Sequence, residues 1–200
     1  MSSDAKGKTV AILGPDGAGK STVLDLVQRR LRDEGEDVAY RYFAPGYLKR
    51  YRPKPDARVT TNPHETGHYD PLRTAAKIAL MVYEFRMGMP QVRRAHRLTL
   101  FDRYIFDLLI DPRRHRIFPM RGWMRAMVAL APKPDLLIVV SAPTEVIQAR
   151  KQEVPAEETA RQVAAYETLA RSMPNGFVVH NTASPEAAAQ AVMSHLDKLR

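Results

Sequence analysis

Short apolar runs alternate with amphipathic stretches along the whole chain, and the two periodicities separate strands from helices. Residues 8–13 form an apolar run that ends at Gly14. Beyond Lys20, the apolar residues Val23, Val27 and Leu31 share one helical face, with Arg29, Arg30 and Arg32 elsewhere. Residues 37–42 alternate as a second strand, and residues 72–90 place Ala75, Ile78, Ala79, Val82, Phe85 and Met89 at near-helical spacing. A third strand over 98–101 ends at Asp102, and the continuous apolar run 135–141 reads as a strand covered on both faces. Pro143 opens a helix reaching about residue 151. Pro155 opens another, with Glu157 and Glu158 in its first turn and Val163, Tyr166 and Ala170 along one face. Residues 176–180 supply a fifth strand, and Ser184-Pro185-Glu186 opens a last helix. Alternation of strands with helices predicts an α/β fold, with a parallel sheet and crossovers on both faces. Neither a repeat nor a linker divides residues 1–200, so one domain is expected.

Composition narrows the picture. The chain has 200 residues, of which 44% are hydrophobic and 26% charged, as in an ordinary globular protein. It contains no cysteine, which excludes disulfides and thiolate metal sites. The first residues, Met-Ser-Ser-Asp-Ala-Lys-Gly-Lys, hold no apolar segment, and no run approaches membrane-spanning length, so a cytoplasmic protein is expected.

The net charge of +9 is unevenly spread. Residues 41–58 carry Arg41, Lys49, Arg50, Arg52, Lys54 and Arg58 against Asp56, and residues 86–121 are arginine-rich. Such an excess favours anionic partners or forms a solvated basic face. No nucleic-acid-binding motif accompanies it.

Chemistry enters at the first strand–helix junction. Residues 14–21 read Gly-Pro-Asp-Gly-Ala-Gly-Lys-Ser, the G-x-x-x-x-G-K-S pattern between a strand and an amphipathic helix. Gly14, Gly17 and Gly19 allow positive φ and close backbone approach. Successive N–H groups, from Ala18 through Thr22, open onto a helix N-terminus suited to a polyphosphate. Lys20 supplies a point charge for the outer phosphates, and Ser21 offers a hydroxyl to Mg²⁺. Asp16, inside the loop, either bonds an acceptor hydroxyl or fixes the loop through an Asx-turn.

The third strand delivers Asp102-Arg103-Tyr104 at its carboxyl end, where open α/β sheets place ligands. A carboxylate there holds Mg²⁺ or the attacking group, and an arginine clamps phosphate; a salt-bridged strand terminus is the structural alternative. Arg150-Lys151, ahead of Gln152-Glu153-Val154-Pro155, reads either as a lid over the γ-phosphate or as a response to the helix dipole. His64 and His68, with Glu65 and Asp70, resemble metal ligands only superficially, because Pro63 and Gly67 interrupt a helix there. Residues 113–131 mix arginines with Ile117, Phe118, Trp123, Met124 and Met127, fitting either core packing or a peripheral membrane face.

With these residues in hand, the chain resembles the thymidylate kinase family of P-loop nucleoside monophosphate kinases, as a divergent member. The matches are residues 14–22, Asp102-Arg103-Tyr104, the run 134–143 leading to Arg150, and the tail 177–186. The resemblance implies a three-layer α/β/α P-loop NTPase fold with a five-stranded parallel sheet of order 2-3-1-4-5, binding ATP and Mg²⁺. It implies that Arg103 touches phosphate, that Arg150 serves in a lid at about 149–156, and that Asn181, Thr182 and Ala183 lie near the nucleotide. It also implies a homodimer. Catalysis is then expected from Lys20, Asp102, Arg103 and Arg150, with Ser21 and Asp102 at the metal and Asp16, Arg41, Arg103 and Tyr104 at the acceptor.

The departures lie on the acceptor side. Where the family usually carries an Arg-Glu-Pro-Gly-like segment, this chain reads Arg41-Tyr-Phe-Ala-Pro45-Gly46, and the serine that usually follows Asp-Arg-Tyr closely is missing. The expected activity is therefore ATP-dependent phosphorylation of a small molecule other than dTMP, such as a sugar, glycan-linked or modified nucleotide substrate. A nucleoside monophosphate kinase is the alternative, and a nucleotide-gated binding module on nucleic acid or membrane is a second. The acceptor would be recognised by segments 44–71 and 104–125.

Overall fold

A computed structural model describes residues 6–49, 70–152 and 154–199 of the protein. The expected histidine-containing segment 63–68, most of the acceptor loop 44–71, the basic residues Arg50, Arg52, Lys54 and Arg58, and Glu153 of the expected lid lie outside the described residues.

Five parallel strands form the sheet: β1 (Lys8–Leu13), β2 (Val38–Tyr42), β3 (Leu98–Asp102), β4 (Leu136–Ser141) and β5 (Gly176–His180). Their order is β2-β3-β1-β4-β5, as the family resemblance implied. Pairing runs from Lys8 opposite Leu98 to Ile12 opposite Asp102 between β1 and β3, and from Val10 opposite Leu136 between β1 and β4. Every residue of β3 and β4 is buried, whereas the edge strands β2 and β5 are only partly so. This is the pattern of a parallel sheet covered on both faces.

The helices are α1 (Lys20–Asp33), α2 (Pro71–Ala95), α3 (Asp107–Ile110), α4 (Arg121–Ala129), α5 (Thr144–Arg150), α6 (Ala156–Arg171) and α7 (Pro185–Asp197). Alternate strand residues feed two cores. Ala11, Leu13, Phe101, Leu137 and Val139 meet Ile78, Phe85 and Met89 of α2, Met124 of α4 and Tyr166 of α6. Val10, Ile12, Leu100, Ile138 and Val140 meet Val23, Val27 and Leu31 of α1 and Val192 and Leu196 of α7. The result is a three-layer sandwich. Ser184 caps α7 by accepting from Ala187 N at 3.1 Å, and Asp70 caps α2 through Arg73 N at 3.0 Å.

Two elements differ from expectation. The helix over 72–90 does not stop at Pro90 but runs through it to Ala95. Proline removes one ladder hydrogen bond, yet Met89 and Val92 on either side are buried, so packing holds the helix together. The segment after β3 forms α3 and α4, which the sequence pattern did not separate. Ile117 and Met124 there are buried, and Trp123 and Met127 pack against the same core. Among the described residues, no helix is long and apolar enough to cross a membrane.

Phe85 is fully buried, with its ring 4.6 Å from that of Tyr104 in an edge-on contact and 6.1 Å from Phe43. Phe85→Ala is expected to destabilise the fold by about 3–5 kcal/mol, read as a fall in the denaturation midpoint with an unchanged slope.

Candidate functional site

In a parallel sheet all strands deliver their carboxyl ends to the same edge, and here β1, β2 and β3 each leave that edge through a left-handed residue. Gly14 after β1 has φ 143°, Phe43 after β2 has φ 62°, and Arg103 after β3 has φ 74°. Glycine is needed at 14, because a Cβ would stand 2.1 Å from Val140 O. Arg103 has no such licence. Its backbone N–H is tied to Ile12 O at 3.0 Å, so the surrounding structure holds an unfavourable conformation at the place where the chain turns back toward β1.

The loop from Gly14 to Lys20 closes over this edge. Gly17 and Gly19 take φ of 86° and 84°. Among the described residues, its amides make a single backbone hydrogen bond within the loop, Ala18 N to Pro15 O at 3.3 Å, and α1 has no side-chain cap. A helix N-terminus left in this state is a cradle of unsatisfied donors. Asn181, just beyond β5, braces it from behind by donating Nδ2–H to Ala18 O at 2.9 Å, while its buried Oδ1 has no hydrogen-bond partner among the described residues. A Cβ on Gly19 would lie 2.3 Å from Asn181 Nδ2 and 3.7 Å from Arg150 Nη1, which places the Arg150 guanidinium beside the loop. Ser21 and Thr22, at the start of α1, and Thr182 and Ala183, which follow Asn181 in sequence, are exposed.

Lys20 is buried and donates Nζ–H to Pro15 O at 3.0 Å, with Asp16 Oδ1 3.7 Å away. Burial, and then the nearby Arg103 charge, push its ammonium down to about pKa 8 despite Asp16 and Asp102. Arg103 donates to Asp16 Oδ1 and, at 3.5 Å, to Asp107 Oδ2. Burial opposes its charge, yet Asp107 and Asp16 hold it protonated well above the ordinary arginine range. Asp107 is fully buried and accepts from the Tyr166 hydroxyl of α6 at 2.6 Å. Arg114, from the turn after α3, donates to the other oxygen of Asp16. Asp102 is buried and accepts from Tyr40 OH at 3.1 Å.

Lys20, Asp16 and Arg103 therefore meet in one cluster, with Asp102 at the adjoining strand end and Arg150 beside the loop. Two residues expected at the acceptor stand differently. Tyr104 is fully buried in the aromatic core, its hydroxyl donating to Pro132 O at 2.6 Å, so it faces away from the cluster. Arg41, opposite Phe101 on β2, donates to Tyr40 O at 3.2 Å and shows no bond to the cluster. Asp107, Arg114 and Tyr166 are the residues missed. The Arg103/Asp107 spacing of four was visible in the sequence, but the pairing of Asp16 with Arg114 spans 98 positions and had no local signal.

The loop after β2 has its own anchor. Glu84 of α2 is fully buried, and its carboxylate accepts from Gly46 N at 2.6 Å, Tyr47 N at 2.7 Å and Leu48 N at 2.7 Å. Gly88, one turn along, leaves room for Pro45, whose Cβ would stand 2.5 Å from an added methyl. Among the described residues, no group of three or more His, Asp or Glu side chains could hold a metal by itself.

A family model described as ABC transporter matches residues 3–197. Among solved structures, the chain is similar to a thymidylate kinase from Candida albicans, reported for the origin of its broad substrate specificity and a novel structural element. The TM-score is 0.67 and the identity 15%, over 96% of this chain and 92% of that one, a likeness of fold. No curated protein matches the sequence.

The low Lys20 pKa has a measurable consequence. A polyphosphate anion on the loop should restore the proton, so pyrophosphate binding should take up roughly one proton at about pH 9 and weaken as pH rises above about 8. Calorimetry in two buffers of different ionisation enthalpy reads this directly, and no uptake would mean that Lys20 does not contact the anion. Without ligand the sign is the reverse of that for a stabilised ammonium. The unfolded chain keeps the proton to about 10.5 while the folded one loses it near 8, so stability should rise across that window.

Proposed function

The chain belongs to the family matched over residues 3–197, the P-loop NTPases described as ABC transporter, and from that premise we propose that it is an ATP-dependent phosphotransferase whose acceptor is a small molecule other than dTMP, such as a sugar, glycan-linked or modified nucleotide substrate. One observation carries the reading: Arg103, at the end of β3, reaches into the P-loop and meets Asp16 beside Lys20. A loop that only bound nucleotide would not need a buried arginine brought in from the strand end on the acceptor side.

The residues present fit a nucleoside triphosphate with Mg²⁺. The uncapped amides at the start of α1 and the buried Lys20 suit the β- and γ-phosphates, and Arg150 lies where a lid cation would close over them. Ser21 and Asp102 would supply hard oxygen ligands, in keeping with a metal held by one or two protein groups plus phosphate. A metal bound there would supply positive charge that offsets that of the phosphates.

In the transfer, an acceptor oxygen bonds to the γ-phosphorus while the bond from that phosphorus to the β–γ bridging oxygen breaks, leaving ADP. The transition state is loose, so the chain acts mainly by positioning and by charge. Lys20, Arg103 and Arg150 stabilise the equatorial oxygens. Asp102, kept in place by Tyr40, orients the metal or accepts the acceptor proton. The family match favours a second reading, ATP hydrolysis with no acceptor.

A metabolite-library screen for ATP-dependent phosphorylation, with the common nucleoside monophosphates included, separates the two. The expected result is ADP release that depends on one acceptor other than dTMP and falls by roughly 10²-fold or more in Lys20→Ala. ADP release at the same rate with every compound would favour hydrolysis. An unimpaired Lys20→Ala would overturn both readings.

A further inference from the structure

Residues 71–134 build α2, β3, α3 and α4, and the acidic side chains among them are Glu84, Asp102, Asp107 and Asp111, all buried. The cations of the same span are placed differently: Arg86, Arg94, Arg121, Arg125 and Lys133 are exposed. Every exposed charge across these residues is therefore positive. Asp70, just before α2, is paired with Arg73 at 3.2 Å, and Glu158 of α6 with Arg161 at 2.7 Å, so neither is left to offset the surplus.

α2 and α4 cover the same face of the sheet and pack against each other. Phe118 N donates to Thr74 Oγ1, and Arg86 Nη1 to Leu130 O, each at 3.0 Å, so the segment 118–130 runs alongside α2. Exposed apolar side chains gather on these two elements: Leu72, Tyr83 and Met87 on α2, with Phe118 and Leu130 flanking α4. They are five of the eight large hydrophobic side chains exposed among the described residues, so the exposure is concentrated rather than scattered. On α4 itself, Arg121 and Arg125 are one turn apart and share a side.

Charge and apolarity together select what covers such a face. A second copy of the chain would meet it across a two-fold axis and set cations against cations. Nucleic acid would match the cations but leave Leu72, Phe118 and Leu130 without an apolar partner. An anionic bilayer answers both, because its headgroups attract arginine while its acyl boundary takes up apolar side chains. Among the described residues no helix is long and apolar enough to cross a membrane, so the contact is with the surface of the bilayer.

We propose that the outer face of α2 and α4 is a docking surface for an anionic lipid bilayer, with Arg86, Arg121 and Arg125 at the headgroups and Phe118 and Leu130 at the acyl boundary. None of these side chains belongs to the cluster of Asp16, Lys20 and Arg103, so the surface stands independently of the phosphotransferase reading.

Trp123, the only tryptophan of the chain, lies in α4 and reports contact there. The test adds vesicles of phosphatidylcholine mixed with phosphatidylserine, or of phosphatidylcholine alone, to the full chain. Co-sedimentation reads binding, and quenching of Trp123 by brominated acyl chains reads which face is docked. Both signals are expected with the mixed vesicles only, and both should weaken as salt rises. Arg121→Glu combined with Arg125→Glu should weaken binding by about tenfold or more, and Leu130→Ser by several-fold with the salt dependence kept. Thermal melts check that the variants fold; if the double variant does not, Arg125→Gln and Leu130→Ser decide. Equal binding to both kinds of vesicle, sedimentation without quenching, or indifference to the arginine changes overturns the proposal. Binding of duplex DNA in preference to vesicles, unaffected by Leu130→Ser, would give the face to nucleic acid instead. A dimer that depends on Leu130, in a chain that ignores vesicles, would give it to a second copy.

Discussion

A guanidinium buried at the carboxyl edge of a parallel sheet is the constraint around which this site is organised. Arg103 is only 3% exposed, and a lone charge so placed would cost far more than a domain of this size could absorb. It is tolerated because Asp107 stands on one side and Asp16 on the other. Asp107 is itself fully buried and is satisfied in turn by the Tyr166 hydroxyl. The chain of contacts therefore runs from the P-loop through β3 and α3 to α6. A charge network of this kind contributes more to specifying one arrangement of loops than to net stability.

The backbone shares in that arrangement. Arg103 adopts φ 74° without being glycine, and the next strand end over, Phe43, does the same with its N–H bonded to Asp102 O at 2.9 Å. Strain at two adjacent strand ends is sustained by the packed sheet beneath them, where Phe101 and Tyr104 meet edge-on at 5.5 Å. The aromatic core on that face thus supports the polar edge above it. Glu84 extends the same logic to the next loop, holding three amides of the segment that leaves β2.

Much of this was legible in the chain itself. The strands were readable because parallel strands covered on both faces become uninterrupted apolar runs, as in residues 136–141. The loop of Gly14 to Ser21 was readable because its chemistry is local, each glycine and the lysine acting within a few residues. The helix expected over 72–90 runs through Pro90 to Ala95, because burial of Met89 and Val92 outweighs one lost hydrogen bond. Tyr104 misled because it adjoins Asp102 and Arg103 in sequence, while the left-handed turn at Arg103 sends its ring into the core.

What the sequence determined by itself was the α/β class, the strand positions and the phosphate-cradling loop, because periodicity and short motifs are set by neighbours along the chain. The strand order came with the family resemblance those motifs carried. The tertiary structure alone decided which charges face one another. Asp16 meets Arg114 across 98 positions, and Asp107 meets Tyr166 across 59. Burial then decides the outcome, since a charge withdrawn from water must find its partner wherever the fold brings one.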